Sequence, residues 1–234
     1  MIKYRFLIFF ILLFSVVAFS QTEKATIEEL KKIRSAYLQN QQMDFDVEAY
    51  SYKDKFDKSP ELISKGHVKK SADKYYSHFL DYELMLSGEK ALIVDNGEKK
   101  MEYYEYKMNK QKTPESFQIN IDSLMANSDS IVMRSPVNGQ KHFTIFNQSG
   151  EISQTELYVN EKTNFVQHIL YYYASSNENY EIEVDRVEIY YKNIKTQGVD
   201  EKFFSFDKYF THNKKQFIPV GQYAAYKFQY YNTK

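Results

Sequence analysis

The chain has 234 residues with 31 basic and 31 acidic side chains, a balance that argues against nucleic acid as a partner, because phosphate binding needs a concentrated positive surface. It has no cysteine, which excludes a disulfide framework and a lipid-bearing cysteine. Its 22 tyrosines and 18 phenylalanines suit strands, where a ring is buried while a phenol stays wet.

The chain opens like a targeting signal. Lys3 and Arg5 precede the apolar stretch FLIFFILLFSVVAF, and Ala18-Phe19-Ser20 supplies small residues for cleavage. Residues 1–20 are therefore expected to be removed, with no retained transmembrane anchor; the run is short beside the roughly 20 residues of a span. The expectation is an exported, soluble protein of the bacterial periplasm or cell surface, weakly acidic once Lys3 and Arg5 are lost.

An amphipathic helix is predicted next, capped by Thr26 with Glu29 three residues on, and with Ile27, Leu30, Ile33 and Tyr37 on one face. From Asp44 the period drops to two, Phe45, Val47 and Ala49 alternating with acidic residues. After a lysine-rich loop over 53–65, short runs at 66–70, 74–79, 82–86, 91–95 and 100–106 predict an antiparallel meander, with turns at Ser87-Gly88 and Asn96-Gly97.

Thr113-Pro114 predicts a helix over 114–127, and Ser135-Pro136 with Asn138-Gly139 punctuates the return to strands at 141–147, 152–159 and 165–173. Beyond the loop SSNEN, Tyr180, Ile182 and Val184 alternate, and a phase slip near Asp185-Arg186 predicts a bulge before Val187, Ile189 and Tyr191. The strand Phe165 to Tyr173 is apolar or amphipathic on both faces, which fits either a strand between two layers of a curved sheet and helix or an ordinary two-sided core.

No catalytic pattern emerges. The histidines at 67, 78, 142, 168 and 212 have no metal-ligand spacing. The two Ser-x-x-Lys matches, Ser71 to Lys74 and Ser87 to Lys90, lack partner motifs. The pairs Asp44/Asp46 and Glu181/Glu183 alternate on strands as solvated faces do. No enzyme, metal or cofactor is expected.

The words MDFDVEAYSY, GHVKKSADKYYSHF and SGEKALIVDNGEKKMEY, the Thr-Pro helix, FTIFNQSGEISQTELYV and the closing VDEKFFSF from Val199 to Phe206 together resemble the outer-membrane lipoprotein carrier proteins of the LolA/LolB type. That resemblance implies a mainly β fold with flanking helices (α+β): a strongly curved, incomplete antiparallel β-barrel with helices covering the open side, spanning residues 21–207. It also implies an apolar cavity for a lipid or acylated ligand, held by hydrophobic transfer without a reactive group. Phe45, Val47, Leu84, Leu86, Leu92, Val94, Ile145, Leu157, Ile169 and Tyr171 are the candidate lining. Lys70 is the candidate cation at its mouth, because the family's arginine-proline pair aligns with Ser71-Ala72. An aromatic extension, residues 208–234, is expected to pack on the same domain. The alternative function is an envelope scaffold or accessory subunit whose sheet surface and aromatic tail bind a partner protein.

Overall fold

Period-two runs separated by turn residues give strands, and in the computed structural model more than half of the described residues fold that way. The description covers residues 24–106, 121–174, 184–213 and 216–232. The leader, the first part of the 114–127 helix and the alternating run 180–183 lie outside it. No helix among the described residues is long and apolar enough to cross a membrane.

The described residues fall into two compact units, one drawn from Met1–Leu38 and Asn120–Arg186, the other from Gln39–Ile119 and Val187–Lys234. Each combines segments distant in sequence, so no linker marks the boundary.

In the first unit, helix α1 (residues 24–39) belongs with α2 (Ile121–Ala126), β7 (Ser130–Val137), β8 (Gln140–Phe146), β9 (Ile152–Asn160) and β10 (Val166–Tyr173). The four strands pair in sequence order, all antiparallel. Thr26 was expected to cap α1 but lies within it, buried in line with Leu30 and Ile33, while Ile27 turns outward; positions 26, 30, 33 and 37 make the better apolar stripe. β7 was expected as punctuation rather than strand. It tolerates Pro136 because it ends the row of strands and its register shifts between Arg134 and Val137, the places where a missing N–H breaks no ladder. Register also shifts between Val166 and His168 and between Tyr172 and Tyr173.

In the second unit, β1 (Gln42–Tyr52), β2 (Leu62–Ser71), β3 (Lys74–Phe79), β4 (Tyr82–Ser87), β5 (Lys90–Asp95) and β6 (Lys100–Glu105) form the expected meander. β11 (Arg186–Lys195) flanks β1. The last strand, β14 (Lys227–Asn232), pairs with β6 in parallel. This departure from antiparallel pairing is allowed by the long stretch 196–226 that precedes it, since a parallel partner needs a crossover. Within the unit the strand order runs from β14 to β11 and the two end strands do not pair. The fold is thus mainly β with flanking helices and an unclosed, largely antiparallel sheet, as expected. The turn after β5 spans residues 96–99, and Lys99 rather than Gly97 takes the left-handed conformation.

The crossover stretch builds the core of this unit. Val199 is buried, Asp200 caps a 3-10 turn over Glu201–Phe204, Ser205 caps a second over Phe206–Lys208, and hairpin β12 (Phe210–Asn213) with β13 (Gln216–Pro219) leads to a turn at Gly221–Tyr223. Phe204, Tyr209, Phe210 and Tyr223 pack with Tyr76, Met85, Leu92, Val94, Met101 and Tyr103 in one buried cluster. Inside it lies a carboxylate: Glu83, 7% exposed, accepts hydrogen bonds from the hydroxyls of Tyr76 (3.2 Å), Tyr209 (3.0 Å) and Tyr223 (2.9 Å) and from the Asn96 side-chain amide (3.3 Å). Burial, with the Glu83 charge, holds all three phenols above the usual tyrosine range, so they remain protonated donors. Lys208 Nζ sits 4.4–4.8 Å from the ring centroids of Phe203, Tyr209 and Tyr76, and burial lowers its pKa.

Three outcomes follow. Deleting residues 208–234 removes Tyr209, Phe210 and Tyr223, each worth about 1.5–3 kcal/mol of apolar burial, and is expected to abolish the cooperative urea transition of the second unit. Tyr209→Phe withdraws one hydrogen bond from a buried charge and should cost about 1.5–3 kcal/mol in the same measurement. Gly66→Ala should cost about 1–3 kcal/mol, because an added Cβ would stand 2.5 Å from Phe79 Cδ2 and 2.6 Å from the His78 carbonyl oxygen.

Candidate ligand-binding site

Strand pairing decides which of the sequence-derived candidates face the same way, because neighbours along a strand point to opposite sides of the sheet. In the second unit, Met85 pairs with Leu92 and Leu84 with Ile93. Leu92 and Val94 therefore share the face of Tyr76, Met85 and Tyr103, the face packed by the C-terminal stretch. Leu84 and Leu86 lie on the other face. The expectation that all four offer their side chains to one interior is corrected by this register: Leu92 and Val94 are 0% and 1% exposed beneath the C-terminal rings.

The opposite face gathers Leu84 and Leu86 with two other candidates. One row across it runs Phe45, Val68, Ser77, Leu84, Ile93, and the next runs Met43, Lys70, Tyr75, Leu86, Ala91. Val47 opposes Gly66 in the row beyond Phe45. Phe45, Val47, Leu86, Met43 and Tyr75 are buried, whereas Leu84, Ile93 and Lys70 are half-buried. Phe45 also leans against Tyr191 of β11, centroids 5.9 Å apart.

Lys70 has an environment unlike that of its neighbours. Lys69 bonds Asp44 at 2.5 Å, Lys74 bonds Glu201 at 2.6 Å and Lys192 bonds Glu48 at 2.5 Å. Lys70 has no acidic partner among the described residues, and burial alone pulls its pKa below the usual lysine range. Sequence reasoning placed Lys70 by the family's arginine; it missed Met43, Tyr75 and Ile93, whose alternation with Lys70 and Leu86 becomes visible only once the register is known.

In the first unit the remaining candidates converge. Phe143 pairs with Leu157 and Leu157 with Ile169, Ile145 pairs with Thr155 and Thr155 with Tyr171, so Ile145, Leu157, Ile169 and Tyr171 share one face. It is the face of Lys141, whose ammonium reaches Glu29 of α1 at 2.5 Å and Asn164 at 2.7 Å. Tyr37 of α1 accepts from the Val166 N–H at 3.2 Å and sets its ring edge-on to Phe165. Ile145, Leu157 and Ile169 are fully buried and make the strand side of a helix-on-sheet core; Tyr171 is half-buried, and burial raises its pKa.

The other side of this small sheet is polar. Glu156 accepts from Thr144 Oγ1 at 3.1 Å and Gln154 Nε2 at 2.5 Å, and His142 Nε2 lies against it. Tyr158 is stacked between His142 (4.4 Å) and His168 (5.3 Å). The buried Glu156 carboxylate thus has its acceptors satisfied by its own neighbours. No group of three or more His, Asp or Glu among the described residues could hold a metal ion.

No protein-family model matches the sequence, and no curated protein matches it. Among solved structures, the chain is similar to an uncharacterized conserved protein from Thermus thermophilus, with a TM-score of 0.50 at 8% identity over 88% of this chain and 99% of that one. It is similar to a LolA superfamily protein from Nitrosomonas europaea (TM-score 0.35, 10% identity, 78% of this chain and 98% of that one) and to the Mycobacterium tuberculosis lipoprotein LppX (TM-score 0.45, 8% identity, 76% and 98%). At such identities the likeness concerns the fold alone.

Proposed function

We propose that the protein is an exported, non-catalytic binding protein of the cell envelope that takes an acyl chain with an anionic head, in lipid or lipoprotein traffic. The apolar body would lie along the sheet face carrying Phe45, Val47, Leu84 and Leu86. The head would meet Lys70. The observation that carries this reading is Lys70 itself: a half-buried ammonium among Met43, Tyr75 and Leu86, with no acidic partner among the described residues and burial as the cause of its lowered pKa. A cation so placed gains a charge-assisted hydrogen bond when a carboxylate or phosphate arrives, and the apolar side chains supply transfer free energy at about 25 cal/mol per Å². Neither contribution needs a reactive group. The alternative of an aromatic tail that docks a partner protein is not favoured, because Tyr209, Phe210 and Tyr223 of that tail are spent in the core.

Titration calorimetry of the mature chain with dodecanoate should give saturable binding. Lys70→Gln should weaken it about tenfold, the worth of one charge-assisted bond, without lowering the urea midpoint. Binding by the wild type should also fade as pH rises, and at lower pH than an exposed lysine would dictate (about 10.4), because a lysine of depressed pKa loses its charge earlier. Absence of dodecanoate uptake, or uptake indifferent to Lys70→Gln, would sink the proposal.

A further inference from the structure

A cavity of about 580 Å³ opens on the sheet face opposite Lys70, between the C-terminal stretch and strands β5, β6 and β14. It belongs wholly to the second unit, and its volume is that of a small-molecule site. Its walls are mostly rings. Tyr103 stacks on Tyr230 at 5.9 Å, Phe217 lies 4.7 Å from Tyr230 and stacks on His212 at 4.6 Å, and Phe206 and Phe210 close the far side.

The charged groups on the wall decide what such a cavity takes. Glu105 accepts from the hydroxyls of Tyr103 and Tyr230, both at 3.1 Å. Burial first, and the Glu105 charge with it, holds those phenols above the usual range, so they stay neutral donors. Asp207 accepts from Ser205 Oγ at 2.7 Å. Lys90 supplies the cation of the lining, and its Nζ already stands 4.0 Å from Glu105 Oε1. Two carboxylates against one engaged lysine disfavour an anion. Ring faces carry the negative side of the aromatic quadrupole and attract a cation within about 6 Å of the centroid.

From this juxtaposition we infer that the cavity is a second ligand site, selective for a small amphiphile whose head is an amine or quaternary ammonium. The apolar body packs along the Phe206, Phe210 and Phe217 rings that line the cavity, and the positive head lies among the rings within reach of Glu105 and Asp207. The site does not depend on the Lys70 face, which lies on the other side of the sheet and favours the opposite head charge.

Titration of the mature chain with dodecyltrimethylammonium below its micellar concentration tests it, with dodecanoate as the chain-matched anion. The expected result is one saturable ammonium site. Glu105→Gln combined with Asp207→Asn should weaken it about tenfold, while dodecanoate binding changes by less than about twofold on the same scale. Asp207→Asn alone, at an exposed position, should give a smaller loss in the same direction and covers the case in which the double variant fails to fold. Lys70→Gln should leave ammonium binding unchanged, so failure of the anionic site and failure of this one are read separately. The inference is overturned if the ammonium probe does not bind, if its affinity is indifferent to both carboxylate substitutions, or if dodecanoate displaces it from the same site with equal affinity.

Discussion

A buried carboxylate must be hydrogen-bonded or it costs several kcal/mol, and the second unit is arranged around that requirement at Glu83. β4 turns Glu83 to the same side as Met85, into an aromatic core. One of its donors, Tyr76, comes from the neighbouring strand and another from the turn at Asn96, but Tyr209 and Tyr223 arrive from the far end of the chain. Tyr226 then donates to Asn96 Oδ1 at 3.0 Å, tying the turn to the same stretch. Satisfying one charge thus holds residues 199–226 across the sheet and delivers β14 parallel to β6.

That covering gives the two faces of the β1 to β6 sheet different roles. The side with Leu92 and Val94 is filled by rings belonging to the chain itself, apart from the aromatic cavity at its β6 edge. The other side carries Phe45, Val47, Leu84 and Leu86, and it keeps Lys70 out of reach of any described carboxylate. The two proposed sites, one for an anion-headed amphiphile and one for a cation-headed one, thus lie on opposite faces of the same sheet.

Much of the strand pattern was legible in the sequence, because alternation is a local property: β3 to β6 and β8 to β10 fall where the period-two runs predict. β7 was not, since Ser135-Pro136 reads as a break and only an end strand with a shifted register tolerates it. Thr26 in α1 was misread for a related reason, as a capping residue type can equally occupy a buried stripe. Glu83 carried a signal that went unused: within YELML it keeps phase with Met85, so either a charge was buried or the strand faced otherwise. The aromatic density of residues 208–234 was evident and its packing on the same domain was expected, but not that Tyr209, Phe210 and Tyr223 would be the rings buried.

By itself the sequence determined that this is a mainly β protein with flanking helices, and where most strands begin and end, since each of these follows from neighbours within a few residues. Only the tertiary structure decided which candidate side chains share a face. A single-residue offset in pairing moves a whole set across the sheet, and the Met85 to Leu92 register separates Leu84 and Leu86 from Leu92 and Val94. It also decided that the last strand returns to β6, because two of the donors that Glu83 requires, Tyr209 and Tyr223, lie more than a hundred residues away and no local pattern can announce them.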